Sequence, residues 1–242
     1  MAGMKLVIDA GNSKVKIGIF EDDDLIEMRI SKDFIIEEIV ELYKSLKIEK
    51  GILCNSRYIE PESIHSLQSK VNLIHLTEST SLPIKNKYQS PSTLGKDRLA
   101  AAVGAYFAFP FANNLVIDLG TAMTTNFINN KGEFLGGTIA PGLTMRLKAL
   151  NHFTGKLPLV EVLDSNQLYG MDTHSSLSNG AINGVVAEIE YYSSKYQKEY
   201  TPLKIILTGG NSSFMSHFLS GQFVIMNDLT LLGLYKILKH NA

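Results

Sequence analysis

The chain has 242 residues, room for one large domain or for two lobes at the usual ~100–200 residues per domain. Hydrophobic residues at 45%, charged residues at 19% and a mean hydropathy of +0.05 are those of a folded protein and exclude disorder over most of the length. With 23 basic against 24 acidic residues the formal net charge is −1, which gives no global pull toward nucleic acid or an anionic membrane, so any anion has to be caught locally.

In chain order, residues 5–9 (Lys-Leu-Val-Ile-Asp) form a short apolar run ending in a carboxylate, and Val15, Ile17 and Ile19 then alternate with Lys16 and Gly18 at the period of a strand. Asp22, Asp23 and Asp24 interrupt this as a solvated turn without the spacing of a calcium loop, and residues 25–30 resume it, which predicts a three-stranded meander. Asp33 is placed to cap a helix over residues 34–47, where Ile35, Ile36, Ile39, Val40, Tyr43 and Leu46 share one face. Residues 51–54 and 71–76 read as short buried strands around a helix that starts near Pro61. The single cysteine, Cys54, is expected to be a buried small hydrophobe; it excludes an intramolecular disulfide and a multi-cysteine metal site, and suits a reducing, cytoplasmic compartment.

The longest apolar stretch, residues 99–112, has 14 residues, fewer than the ~18 of a membrane span, and is expected to be a core helix. Phe-Pro-Phe-Ala-Asn-Asn at 109–114 breaks it and sets the expected boundary between lobes 1–112 and 113–242. A helix after Pro141, a long helix over residues 173–198, a strand over 203–207 entering Thr208, Gly209, Gly210 and Asn211, and a last helix from Asp228 complete a second α/β lobe. The N-terminal Met-Ala-Gly-Met-Lys lacks the apolar segment of a signal peptide.

The most informative pattern is an internal repeat. Val7-Ile8-Asp9-Ala10-Gly11-Asn12-Ser13 aligns with Val116-Ile117-Asp118-Leu119-Gly120-Thr121-Ala122 at a constant offset of 109, and Ile19 over Ile128 and Leu25 over Phe134 extend it. Each copy reads as strand, carboxylate-glycine turn, strand. Turns favour Asp and Gly in general, yet two copies in one frame point to two pseudo-equivalent lobes. The P-loop, the dinucleotide-binding glycine fingerprint and H-E-x-x-H are all absent. What remains is a pair of turns in which glycine permits close backbone approach, Asn12, Ser13, Thr121 and Thr124 offer donors, and a carboxylate stands ready for the cation that accompanies a polyphosphate.

Together with these turns, Tyr88 followed by Pro91 and Gly95-Lys96-Asp97-Arg98, then Asp118 to Thr124 as Asp-x-Gly-Thr-Ala-x-Thr, Gly136-Gly137-Thr138-Ile139-Ala140-Pro141-Gly142, Thr173, Gly180 and Thr208-Gly209-Gly210-Asn211 follow in order. The set resembles the type III pantothenate kinases, within the actin-like ATPase superfold of acetate and sugar kinases. The resemblance implies an α/β fold of duplicated actin-like, ribonuclease H-like lobes with a nucleotide cleft between them, and transfer of the ATP γ-phosphate to pantothenate at the start of coenzyme A synthesis. It implies ATP contacts at Asp9, Ala10, Gly11, Asn12, Ser13, Lys14, Val15, Lys16 and Thr121. It further implies a proton acceptor at Asp97, and pantothenate contacts at Tyr88, Gly95, Lys96, Asp97, Arg98 and Thr173. Mg²⁺ would be held by Asp9 through water, and K⁺ or NH₄⁺ by Asp118. A homodimer is implied as well, with residues 136–142 and 151–158 as candidate contact segments. Ser13 stands where many members have threonine, and keeps the hydroxyl.

Elementary chemistry is compatible with these roles. Phosphoryl transfer depends mainly on positioning and charge neutralisation, for which a carboxylate suffices as proton acceptor, and a guanidinium fork matches a substrate carboxylate. Each residue also has a plainer reading: Asp97 as an acid favoured at a helix N-terminus, Arg98 as a solvated helix residue, Tyr88 as a packed aromatic, and His152 as a surface histidine. Two other functions fit the same fold, an accessory transcriptional regulator without kinase activity and a kinase for another small hydroxy acid or polyol. Neither a nucleic-acid partner nor a membrane is expected.

Overall fold

The computed structural model describes residues 3–242; Met1 and Ala2, at the start of the segment expected to lack a leader, lie outside them. The first elements are β1 (Lys5–Ala10), β2 (Val15–Glu21), β3 (Asp24–Ser31), α1 (Ile36–Ser45), β4 (Lys50–Asn55), α2 (Pro61–Lys70), β5 (Leu73–His75), β6 (Lys85–Asn86) and α3 (Lys96–Ala108). They are followed by β7 (Asn113–Leu119), β8 (Ala122–Ile128), β9 (Glu133–Gly136), β10 (Ile139–Pro141), α4 (Leu143–Phe153) and α5 (Thr173–Glu199). The last are β11 (Leu203–Thr208), α6 (Ser212–Ser216), β12 (Val224–Ile225) and α7 (Leu229–His240).

Two compact units form. One is the chain up to Pro110 with Lys131–Leu135 and Asp228–Ala242; the other is Phe111–Asn130 with Gly136–Asn227. Along the chain the first unit ends at Pro110, and the last helix counts with it. The cause is packing. Gly104 of α3 and Gly233 of α7 let the two helix backbones touch, since a Cβ on Gly233 would stand against the Ala100 carbonyl. Phe20 of β2 stacks on Tyr235 of α7 at 4.3 Å between ring centroids.

The first unit holds a five-stranded sheet in the order β3-β2-β1-β4-β5, antiparallel through the meander and parallel beyond β1. Its period-2 side chains Leu6, Ile8 and Ile19 are fully buried with Ile39 and Leu42 of α1 and Leu67 of α2. Helix α1 begins without the expected Asp33 cap: Ile35 is the N-cap and makes no side-chain cap bond, while the Asp33 N–H turns back to Ser31 Oγ at 3.2 Å. The β2–β3 turn is not merely solvated either, because Asp23 bonds Lys236 and Lys239 of α7 at 3.0 Å each.

In the second unit β11 lies parallel to β7 and to β12, β8 lies antiparallel to β7, and β10 pairs with β8. The apolar stripe of α5, Ile182, Val185 and Ile189, is buried against Leu115, Ile117, Phe127 and Leu207, so it is core of this unit. The repeat is visible as paired hairpins with one difference. Ala10 pairs with Val15 across four turn residues, whereas Leu119 pairs with Met123 across three. The offset of 109 thus holds through β1 and β7 but drops by one afterwards: Leu6 faces Ile19 and Leu115 faces Phe127, which makes Phe127, not Ile128, the counterpart of Ile19. Among the described residues no helix is long and apolar enough to cross a membrane.

Candidate active site

In the first unit, β1 and β4 run parallel with Asp9 in register with Cys54, at the end of both strands. Beyond that pair the Ala10 carbonyl accepts the N–H groups of Ser56, at 3.0 Å, and Arg57, at 3.3 Å. The turn that follows, Gly11 to Lys14, has its first two carbonyls on the Arg57 guanidinium: Nε donates to Gly11 O at 2.5 Å and Nη2 to Asn12 O at 3.4 Å. Asn12, Ser13 and Lys14 are exposed, Val15 is buried, and Asp9, Gly11 and Lys16 are half-buried.

Helix α3 contributes the second carboxylate. Gly95 is its N-cap and Asp97 lies in its first turn, where Oδ1 accepts the Arg98 N–H at 2.8 Å and the helix dipole favours a negative charge. Burial pushes the Cys54 thiol well above its ordinary pKa; the charges of Asp9 and Asp97 push it further, and Lys96 opposes them. Cys54 is fully buried, in register with Asp9 on the neighbouring strand, and its thiol stays neutral. Arg98 is only 6% exposed, and its guanidinium lies 5.8 Å from the centroid of Tyr88, which in turn tilts against Phe134 at 6.2 Å. Lys96 Nζ donates to the Pro91 carbonyl at 3.1 Å. Tyr88, Gly95, Lys96, Asp97 and Arg98 belong to one unit, where helix α3 carries Lys96, Asp97 and Arg98.

The second unit carries the duplicate turn. Asp118 on β7 stands in register with Thr124 on β8 and Thr208 on β11, and the turn closes with a 3.2 Å bond from Gly120 N–H to the Ala122 carbonyl. Gly209, with φ at +91°, comes so close that a Cβ there would sit 2.3 Å from Asp118 Oδ1 and 2.7 Å from Leu119 N. Thr121 is exposed in this turn. Thr173 is exposed at the start of α5, whose N-cap Asp172 forms a capping box with Ser175. It belongs to the other unit from Tyr88 and Arg98. His152 is exposed and stands edge-on to Phe153 at 4.7 Å, with no bond that gives it a chemical task.

Among the described residues no three His, Cys, Asp or Glu side chains cluster to hold a metal ion. Asp9 and Asp118 are single hard-oxygen donors, which suits cations that keep water and take further oxygens from a polyphosphate. Two contributors escaped the sequence reading. Arg57 carries no motif beyond following the end of a strand, and Gly209 was visible only as part of a glycine pair after β11.

The family model of type III pantothenate kinases matches residues 5–195. A type III pantothenate kinase from Cytophaga hutchinsonii is 41% identical over 240 residues, which cover 99% of this chain and 100% of that one. Among solved structures, a Campylobacter jejuni chain provisionally described as a Baf family transcriptional activator superposes with a TM-score of 0.64 at 24% identity, covering 98% of both chains. A ROK family glucokinase from Streptomyces griseus, in complex with glucose and AMPPNP, superposes at 0.51 with 12% identity over 96% of this chain and 98% of its own. These likenesses show two actin-like α/β lobes, and the match over nearly the whole length establishes that the chain belongs to the type III pantothenate kinase family.

Proposed function

We propose that this protein transfers the γ-phosphate of ATP to the primary hydroxyl of pantothenate, giving 4′-phosphopantothenate and ADP in the first step of coenzyme A biosynthesis. The observation that supports this reading, beside family membership, is that one unit carries Asp9 at the end of β1, Asp97 in the first turn of α3 and Arg98 beside the Tyr88 ring. Asp97 takes the proton of the attacking hydroxyl as its oxygen bonds to the γ-phosphorus and the bond to the bridging oxygen breaks. Arg98, desolvated and backed by an aromatic ring, pairs with the pantothenate carboxylate, with Tyr88, Gly95, Lys96 and Thr173 as further contacts.

Backbone N–H groups of the turn from Asp9 to Lys16 hold the phosphates, and Thr121 adds a hydroxyl. Mg²⁺, when bound, neutralises the polyphosphate charge, and Asp9 would hold it through water; Asp118 would hold K⁺ or NH₄⁺. The working form in this reading is a cytoplasmic homodimer, with exposed Ile139 and Phe153 in the candidate contact segments. The accessory regulator is not favoured, since it has no use for Asp9, Asp97 and Asp118 together, and the kinase for another polyol is disfavoured by the relatives' shared name.

The test supplies purified protein with ATP, Mg²⁺, K⁺ and pantothenate, and follows 4′-phosphopantothenate by mass. A folded protein that forms no product, or one that phosphorylates another hydroxy acid in preference, overturns the proposal.

A further inference from the structure

We infer that Arg57 is a positioning residue for nucleotide binding: its guanidinium orients the peptide planes of the Gly11–Asn12 turn so that their N–H groups face away from it, toward a phosphate. The inference rests on the reading that ATP binds this turn, and adds to it a residue outside the turn and outside every motif described above.

The geometry is direct. A trans peptide unit is planar, and its C=O and the following N–H point in opposite directions. Three consecutive carbonyls, those of Ala10, Gly11 and Asn12, accept hydrogen bonds from Ser56 and Arg57: Ala10 O from two backbone N–H groups, Gly11 O from Nε at 2.5 Å, and Asn12 O from Nη2 at 3.4 Å. Turning the Gly11 and Asn12 carbonyls toward the guanidinium turns the N–H groups of Asn12 and Ser13 to its far side. Successive N–H groups aimed one way form an anion-binding concavity. Asn12, Ser13 and Lys14 are the exposed part of the turn, where a ligand has access.

Arg57 is itself held from both ends. Its Nη1 donates to the Lys32 carbonyl just past β3 at 3.0 Å, and its own carbonyl accepts Asn55 Nδ2 at 3.0 Å. Asn55 Oδ1 in turn accepts from His75 Nε2 at 2.7 Å, and burial holds the His75 pKa down, which favours the neutral ring. The fork spans three carbonyls on two segments, which a guanidinium can do and an ammonium on a single point cannot.

Arg57→Lys keeps the charge and removes the fork, so it separates positioning from simple attraction of phosphate. Affinity for Mg-ATP, measured by calorimetry on the full chain without pantothenate, is expected to fall ~10-fold in Arg57→Lys and more in Arg57→Ala, the scale of losing one or two charge-assisted bonds. Methylguanidinium is expected to restore part of the affinity of Arg57→Ala, which a merely structural role would not predict. In turnover, KM for ATP is expected to rise while KM for pantothenate changes less than twofold. Unchanged near-UV circular dichroism identifies folded variants. Should Arg57→Lys not fold, Asn55→Ala, which leaves the guanidinium in place and frees the Arg57 carbonyl, carries the same test with a few-fold loss. Folded Arg57→Lys that binds Mg-ATP as tightly as the unsubstituted protein overturns the inference; an unsubstituted protein that turns over pantothenate with nucleotide affinity untouched by any of these variants overturns it alone, and one that binds no Mg-ATP overturns the underlying reading with it.

Discussion

In the first unit the turn after Asp9 has four residues between its last paired strand positions and leans on a long guanidinium; in the second, the turn after Asp118 has three and leans on a glycine. Both begin from the same strand, carboxylate and x-Gly. What differs is the kind of support. A guanidinium tether is a set of directional bonds on a flexible stem, which tolerates small displacements of the turn. Gly209 stands so close to Asp118 that an added Cβ would overlap its carboxylate, and such close packing tolerates less. The duplicated pattern therefore identifies two places where a carboxylate ends a strand, while the residues behind it decide how rigidly each is held. The chemistry divides the same way: the proposed proton acceptor and substrate fork stand with Asp9, and the proposed monovalent cation stands with Asp118.

The largest expected effect tests that division. Asp97→Asn should lower kcat by roughly 10²-fold or more while leaving Mg-ATP affinity nearly unchanged, the usual scale for losing a positioned general base. Single-turnover assay and calorimetry separate the two quantities. A large loss of ATP affinity with kcat preserved would move Asp97 into the nucleotide site and break the comparison.

Next come the glycines. Gly209→Ala places a Cβ 2.3 Å from Asp118 Oδ1 at a φ of +91°, so the backbone must shift or the carboxylate must leave its place. The positive φ and the overlap together should cost about 2 kcal/mol of stability or more, lowering the thermal midpoint by ~4–8 °C. Gly11→Ala is the contrast: its Cβ would meet only the Lys14 carbonyl at 3.2 Å, at no positive φ, and the loss should stay under ~1 kcal/mol. Equal destabilisation by the two variants in thermal unfolding would show that the supports do not differ as described.

A smaller effect, a few-fold in rate, is expected at the cation. Replacing K⁺ by Na⁺ should depress turnover of the unsubstituted protein, and Asp118→Asn should lose that response, because in the proposed site one carboxylate would give the ion most of its charge compensation. Titration of monovalent salt at constant ionic strength reads this out. Retention of the full K⁺ response in Asp118→Asn would detach the cation from the second turn.

Much of this was legible in the sequence, for identifiable reasons. Hairpins and core helices declare themselves by period, and the meander through Ile30 and the helix from Pro61 lie where their spacing puts them. The motif around Gly95 to Arg98 falls at the start of α3 because glycine ends the loop and an acid suits the first turn. Three features were not legible. The one-residue slip between the hairpins depends on turn closure at Gly120, which the matching residues around it conceal. The return of α7 to the first unit depends on Gly104 meeting Gly233, more than a hundred positions apart. Arg57 depends on three carbonyls, and backbone acceptors leave no trace in side-chain identity. Local periodicity is written in the chain, whereas support from a distant segment is not.

The smallest effect belongs to the same return of α7. Asp23, in the β2–β3 turn, accepts hydrogen bonds from Lys239 and Lys236, and these two lysines lower its pKa from 3.8 to about 2. A carboxylate with a folded pKa below its unfolded one adds stability that is complete above about pH 4 and is lost as pH falls toward about 2. The Asp23 side chain is 48% exposed, so solvent and salt screen the cluster and its net worth should be below ~1 kcal/mol. Asp23→Asn should therefore lower the thermal midpoint by only ~1–3 °C near neutral pH, and the difference from the unsubstituted protein should shrink as salt is added and vanish near pH 2. Melting curves of both proteins across that acid range, at low and high salt, measure it directly. A midpoint difference that stays constant through the acid range would mean that α7 is held by the stacked Phe20 and Tyr235 and by its glycine contact with α3, with the charges at Asp23 adding nothing.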